Sequence, residues 1–174
     1  MHIPKADFLG ISYGAYILQK LISYRPEMVS KCVFVVPSGL VNGKFEPSMV
    51  RLTFPLIRFF ITKKDTDLRK FTKAFAPEED DFMFRLQKAL LLGLNMDYRR
   101  PALLKEKDVH NFSNPVYMIV ADNDIFFPGP EAINRAKALF KNFKEAYVLK
   151  NCKHMPNKVN YSEIQQKIRS WLEE

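Results

Sequence analysis

The sequence predicts an α/β fold of about four parallel strands flanked by helices, with a helical insertion in the middle. Three observations carry that expectation. Cys32-Val33-Phe34-Val35-Val36 and Pro115-Val116-Tyr117-Met118-Ile119-Val120-Ala121 are apolar on both alternations, as strands buried on two faces are. Strand and helix patterns alternate before residue 40 and again after residue 107, which implies βαβ crossovers in a parallel sheet. Residues 40–107 show helical periodicity and no obvious strand. The core is therefore expected from 1–39 and 108–174, and the insertion from 40–107.

Taken in order, Asp7-Phe8-Leu9-Gly10 is a short strand end followed at once by a turn. Ile17, Leu18, Leu21 and Ile22 recur at helical spacing from Ala15 to Tyr24, and Arg25-Pro26 stops that helix. The strand Cys32–Val36 ends at Pro37-Ser38-Gly39. Within the insertion, Ser48–Ile61 is apolar and helical, bent or restarted at Pro55, and Asp67–Phe75 and Asp80–Leu92 form further helices. After the Pro115–Ala121 strand, Pro130–Asn142 is a helix with proline in its first turn. Ala146–Leu149 is a short strand. Tyr161–Glu174 closes the chain as an amphipathic helix carrying Ile164, Ile168, Trp171 and Leu172.

Composition narrows the function classes. The chain has 174 residues, 47% of them hydrophobic, with 2 Cys, too apolar for disorder and too poor in cysteine for a disulfide scaffold. No apolar run approaches the roughly 18–20 residues of a membrane span, and no signal-peptide core precedes Gly10, so a cytoplasmic protein is expected. The 27 basic residues outnumber the 19 acidic ones for a net charge of +8, but the two signs interleave, as in Lys63-Lys64-Asp65-Thr66-Asp67-Leu68-Arg69-Lys70. No nucleic-acid motif accompanies them, and a solvated surface is expected rather than a nucleic-acid partner. The sequence has no H-E-x-x-H, C-x-x-C, P-loop or G-x-G-x-x-G pattern, so no metal, nucleotide or flavin cofactor is expected.

The sharpest local signal is Gly10-Ile11-Ser12-Tyr13-Gly14, a G-x-S-x-G pentapeptide between a strand and a helix. A sharp turn there strains the serine backbone and presents the hydroxyl at the carboxyl edge of the sheet, the flanking glycines removing Cβ atoms that would collide. The backbone N–H of Tyr13, at the helix N-terminus, would favour developing negative charge. Serine is a poor nucleophile without a base held by a third group. His154 follows the last strand, at the same sheet edge as Ser12 if the strands are parallel. His110 precedes its strand and falls at the opposite edge, and His2 is terminal. For the orienting acid, Ala121-Asp122-Asn123-Asp124 offers two carboxylates. Asp124 is preferred, with Asp122 as a turn cap; the competing reading makes both of them turn formers.

These residues resemble an α/β-hydrolase of the esterase/lipase type with a helical cap. The resemblance rests on Asp7–Gly14, on Tyr24-Arg25-Pro26-Glu27-Met28-Val29 leading into Cys32–Pro37, on Pro115–Pro128 and on His154. It implies a partial α/β-hydrolase fold, the family's strands five to eight, with 40–107 as the cap. It also implies that Ser12 is the nucleophile, Asp124 the acid and His154 the base. Two positions depart from the family: Lys153 stands where glycine usually precedes the histidine, and Ala15 where a second glycine follows the elbow.

A larger departure is that the family's first strands and its oxyanion loop have no counterpart here. A truncated product, an internal start at Met1 or one half of a split protein is expected on that ground, with an open apolar edge at the first strand. A dimer partner or the missing half would then cover that edge, and losing one oxyanion donor costs roughly 100–1000-fold in turnover. The Phe-rich insertion suggests an apolar substrate pocket involving Phe54 and Phe59, with Phe126 from the acid loop. Two competing readings are that most Phe residues of the insertion pack between its helices and the sheet, and that the amphipathic face of Ser48–Ile61, with Arg51 and Arg58, touches a membrane surface. The leading expectation is thus a serine hydrolase of carboxylic esters or related acyl substrates; the alternative is a non-catalytic binding module of the same fold.

Overall fold

A computed structural model of the chain describes residues 5–76, 81–94 and 99–173, the side chain of residue 83 excepted. His2 and Asp80, the first residue expected in one insertion helix, lie outside the described residues.

Four parallel strands form one sheet in the order β1-β2-β3-β4: Ala6–Ile11, Val29–Val35, Val116–Ala121 and Phe143–Leu149. Phe8 to Ile11 pair with Cys32 to Val35, and Cys32 to Val35 with Val116 to Ile119. Alternation along the central strands sends residues to two different cores. Phe34, Met118 and Val120 pack with Ala15, Leu18 and Ile22 of α1 (Tyr13–Tyr24) and with Ala132 and Ala136 of α7 (Gly129–Leu139). Val33, Val35, Tyr117 and Ile119 meet Trp171, Ile164 and Ile168 of α8 (Lys158–Glu173) on the other face. That double burial is why these strands are continuous apolar runs.

The edge strands differ from the centre. On β1, Phe8 and Gly10 turn toward α1, whereas Leu9 and Ile11 face the side that α8 does not reach and are 47% and 56% exposed. β4 begins at Phe143 rather than at Ala146, and α7 stops at Leu139 rather than at Asn142. β2 likewise begins at Val29 rather than at Cys32.

Between β2 and β3 the chain forms α2 (Phe45–Ser48), a wide π turn (Met49–Thr53), α3 (Phe54–Thr62), α4 (Asp65–Lys73), α5 (Asp81–Gly93) and the short α6 (Glu106–Val109). The bend expected at Pro55 falls just before it. Pro55 lacks the N–H that an α-helix would direct to the Arg51 carbonyl, so the irregular turn sits there and the proline occupies the tolerant first turn of α3. Phe59, Leu68 and Phe84, with Phe71 and Leu91 beside them, make a separate small core for this helical segment. Among the described residues, no helix is long and apolar enough to cross a membrane.

Candidate active site

Because all four strands run the same way, their carboxyl ends share one rim, and each loop leaving that rim adds a group to the site. Ser12 follows β1 directly, with φ 50° and ψ −114°, a strained conformation for an L-residue. The turn is over-determined. Its N–H donates to the Val35 carbonyl at 2.9 Å, and its carbonyl accepts from the Ala15 N–H at 3.0 Å, the Ser38 N–H at 3.3 Å and the Ser38 hydroxyl at 3.2 Å. Buried Gln19 supports Ser38 in turn, its Nε2 donating to the Ser38 carbonyl at 2.8 Å. Ser38 and Gln19 were not singled out in the sequence; the hydroxyl beside the Pro37-Ser38-Gly39 strand end was the one available signal.

The two glycines of the pentapeptide do different things. A Cβ at Gly10 would lie 2.6 Å from Ala15 Cα and 2.8 Å from both Ala15 N and Gly14 O, so the turn requires glycine there. At Gly14 a Cβ would meet nothing within 4 Å, so the expectation that both glycines relieve a collision is corrected for Gly14, which borders open space.

From β4, His154 reaches Ser12: its Nε2 lies 2.9 Å from the Ser12 Oγ. From β3, Asp124 reaches His154: the imidazole Nδ1 is 2.7 Å from Asp124 Oδ2. A carboxylate can only accept, so Nδ1 carries the proton and Nε2 is left to accept from the serine hydroxyl. The Asp124 side chain is 1% exposed and that of His154 12%. The other Asp124 oxygen, Oδ1, accepts the backbone N–H groups of Phe126 at 2.8 Å and Phe127 at 3.0 Å. One carboxylate thus fixes its own loop with one oxygen and the imidazole with the other.

Asp122 has a different task from its neighbour. Its two oxygens accept the N–H groups of Asn151 at 2.9 Å and Cys152 at 3.0 Å, so it caps the loop that carries His154 rather than only its own turn. His110 is exposed, its Nδ1 2.7 Å from the Lys107 carbonyl in its own short helix. Tyr13 opens α1, and its N–H is one of the first-turn amides with no intrahelical acceptor.

The same architecture recurs in solved structures. The naproxen esterase (carboxylesterase NP) of Bacillus subtilis superposes with a TM-score of 0.76 at 13% identity, over 98% of this chain and 60% of that one. Carboxylesterase CesB of Bacillus subtilis gives 0.74 at 15% identity, over 98% and 60%. The meta-cleavage product hydrolase CumD of Pseudomonas fluorescens IP01 gives 0.68 at 16% identity, over 98% and 64%. The chain has part of the α/β-hydrolase fold. It spans about three-fifths of the length of the structures it matches. Neither a family model nor a curated protein matches the sequence.

In this α/β-hydrolase fold a cavity of about 840 Å³ opens between the helical segment and the rim, lined mainly by apolar side chains such as Leu52, Leu56, Phe60, Phe71, Phe75 and Phe126. Phe126 and Phe127 form its border with Ser12, His154 and Asp124: their rings meet the His154 imidazole edge-on at 5.1 and 5.4 Å. Of the aromatics expected at a pocket, Phe126 lies there and the two from α3 do not. Phe59 is fully buried in the core between α3, α4 and α5, and Phe54 is 59% exposed on the outer side of α3. Helical periodicity places them on different faces, and neither face is the one above the cavity.

Both cysteines are free and buried. Burial pushes the Cys32 thiol far up, and burial followed by the Asp122 and Asp124 carboxylates pushes the Cys152 thiol up to about 11. A thiol so shifted is almost wholly protonated at neutral pH. In the native protein both should therefore stay silent toward a disulfide-exchange reagent at mildly alkaline pH and titrate together once guanidinium unfolds the chain. Rapid native reaction of Cys152 would contradict its burial.

Proposed function

We propose that the chain is a serine hydrolase of carboxylic esters or related acyl compounds, with Ser12 as nucleophile, His154 as general base and Asp124 as the group that orients it. The observation that carries this reading is the unbroken run of hydrogen bonds from Asp124 through His154 to Ser12, at 2.7 and 2.9 Å. His154 Nε2 takes the Ser12 proton as Oγ attacks the acyl carbonyl, and Asp124 stabilises the imidazolium that forms. The Tyr13 N–H, with the α1 N-terminus behind it, faces the developing oxyanion. His154 then returns the proton to the departing alcohol, leaving an acyl-Ser12 ester. A water deprotonated by the same imidazole attacks that ester and releases the acid and Ser12.

The cavity beside the triad suits an apolar acyl or alkyl group, held by Leu52, Leu56 and the phenylalanine rings. With the same reading goes a second copy of the chain as a cover for the β1 edge, over the half-exposed Leu9 and Ile11. A fluorophosphonate probe tests the activity directly. Wild-type protein should form a covalent adduct that peptide mass spectrometry maps to Ser12, and Ser12→Ala should form none. Wild-type protein that melts cooperatively and takes no label would favour the non-catalytic binding module instead.

A further inference from the structure

Lys153 occupies the position before the base where the resembling family carries glycine, and it does something glycine cannot. Its ammonium donates to the Lys73 carbonyl at 2.6 Å and the Ala76 carbonyl at 3.3 Å. Lys73 is the last residue of α4, where helix carbonyls have run out of intrahelical donors and the negative end of the macrodipole attracts a cation. On the other side of His154, the Met155 N–H donates to the Phe75 carbonyl at 2.9 Å. Residues flanking the imidazole on both sides are therefore tied to one short turn, 73–76. A third link runs through rings: Phe75 lies 5.3 Å from Phe126, which lies 5.1 Å from His154.

We propose that Lys153 is a positioning residue, whose ammonium clamps the C-terminal end of α4 to the loop carrying His154 and so holds the imidazole in line with Ser12. This deepens the hydrolase reading and rests on it. The clamp uses charge-assisted hydrogen bonds to carbonyls, which are stronger than neutral ones and fix a direction as well as a distance. Without them the Met155 N–H still bonds the Phe75 carbonyl in the turn after α4, but the loop loses its charged tie and His154 gains freedom to swing off the serine. Misplacement of a reacting group by about 1 Å costs on the order of 100-fold in rate, so the chemical step should suffer more than binding.

The test compares wild type, Lys153→Met and Lys153→Arg by fluorophosphonate inactivation kinetics, thermal melts and amide hydrogen exchange. Methionine keeps the apolar stem and removes the ammonium; arginine keeps a cationic donor. Lys153→Met should lower the maximal inactivation rate by about 10–100-fold with little change in probe affinity, while Lys153→Arg restores most of it. Exchange at the Met155 amide should quicken in Lys153→Met alone. Should that variant not melt cooperatively, Lys153→Gln takes its place, with loss expected in the same direction. A wild-type rate in Lys153→Met, an equal loss in Lys153→Arg, or unchanged Met155 exchange overturns the clamp. Wild-type protein that takes no label overturns the hydrolase reading itself, an outcome separate from any of these.

Discussion

Asp124→Asn should fold, melt cooperatively and lose about 10⁴-fold in the rate of fluorophosphonate labelling, a loss set by tautomer rather than by disorder. The Asp124 Oδ1 position accepts two backbone amides, those of Phe126 and Phe127. In the asparagine variant only the amide oxygen can accept them, so the NH₂ group must turn toward His154 Nδ1. Nδ1 then becomes an acceptor and the ring proton moves to Nε2, where it points at Ser12 Oγ and blocks proton removal. Asp124→Ala loses the same chemistry and also strands both loop amides, adding about 1–3 kcal/mol of destabilisation for each group that water cannot reach. The pair of variants separates the two jobs of one carboxylate: labelling rates should fall in both, melting temperature chiefly in Asp124→Ala. Labelling of Asp124→Asn within tenfold of wild type would show that another group sets the imidazole tautomer.

What the sequence made legible follows from chain direction. Once Cys32–Val36 and Pro115–Ala121 were recognised as doubly buried strands joined by crossovers, parallel pairing put the ends of β1, β3 and β4 on one rim, and Ser12, Asp124 and His154 with them. Chain direction gives the shared rim alone; the 2.9 and 2.7 Å separations depend on how the three loops pack. The starts of β2 and β4 were harder to see because their first residues are amphipathic. Lys31 lies in β2, yet its ammonium reaches the Trp171 and Leu172 carbonyls at 3.3 and 3.1 Å. In β4, Glu145 accepts from Lys167 at 2.8 Å and from the Trp171 indole at 2.7 Å. Such side chains pair with α8 along the sheet and leave no apolar alternation to read.

The pocket was legible only where it borrowed from the rim. Phe126 lies two residues past the acid, so its place follows from that of Asp124. Phe54 and Phe59 sit on α3, and helical spacing says that they face apart without saying which face meets the sheet. Lys153 was visible as a departure from the family, but its partners are the last residue of α4 and the turn after it, 80 and 77 residues away in sequence.

Gly43 was not singled out at all, and its replacement should be among the most damaging single changes. A Cβ at this position would lie 2.0 Å from the Ile125 carbonyl oxygen, 3.1 Å from the Ile125 carbonyl carbon and 3.2 Å from the Phe126 carbonyl oxygen. Every one of those atoms is backbone, so no side chain can rotate out of the way; the chain entering α2 and the acid loop must separate. The loop is held by the Phe126 and Phe127 amides on Asp124 Oδ1, so displacement of Ile125 pulls on the carboxylate that orients His154. Gly43→Ala should therefore cost about 1–3 kcal/mol in stability by overpacking and reduce Ser12 labelling by about 100-fold through misalignment. Gly14→Ala, whose Cβ meets nothing within 4 Å, is the matched control for steric space and should melt close to wild type. Chemical denaturation and labelling kinetics on both variants decide the matter. Gly43→Ala with wild-type stability would mean that the acid loop yields without cost, and its rigid coupling to the helical segment would have to be abandoned.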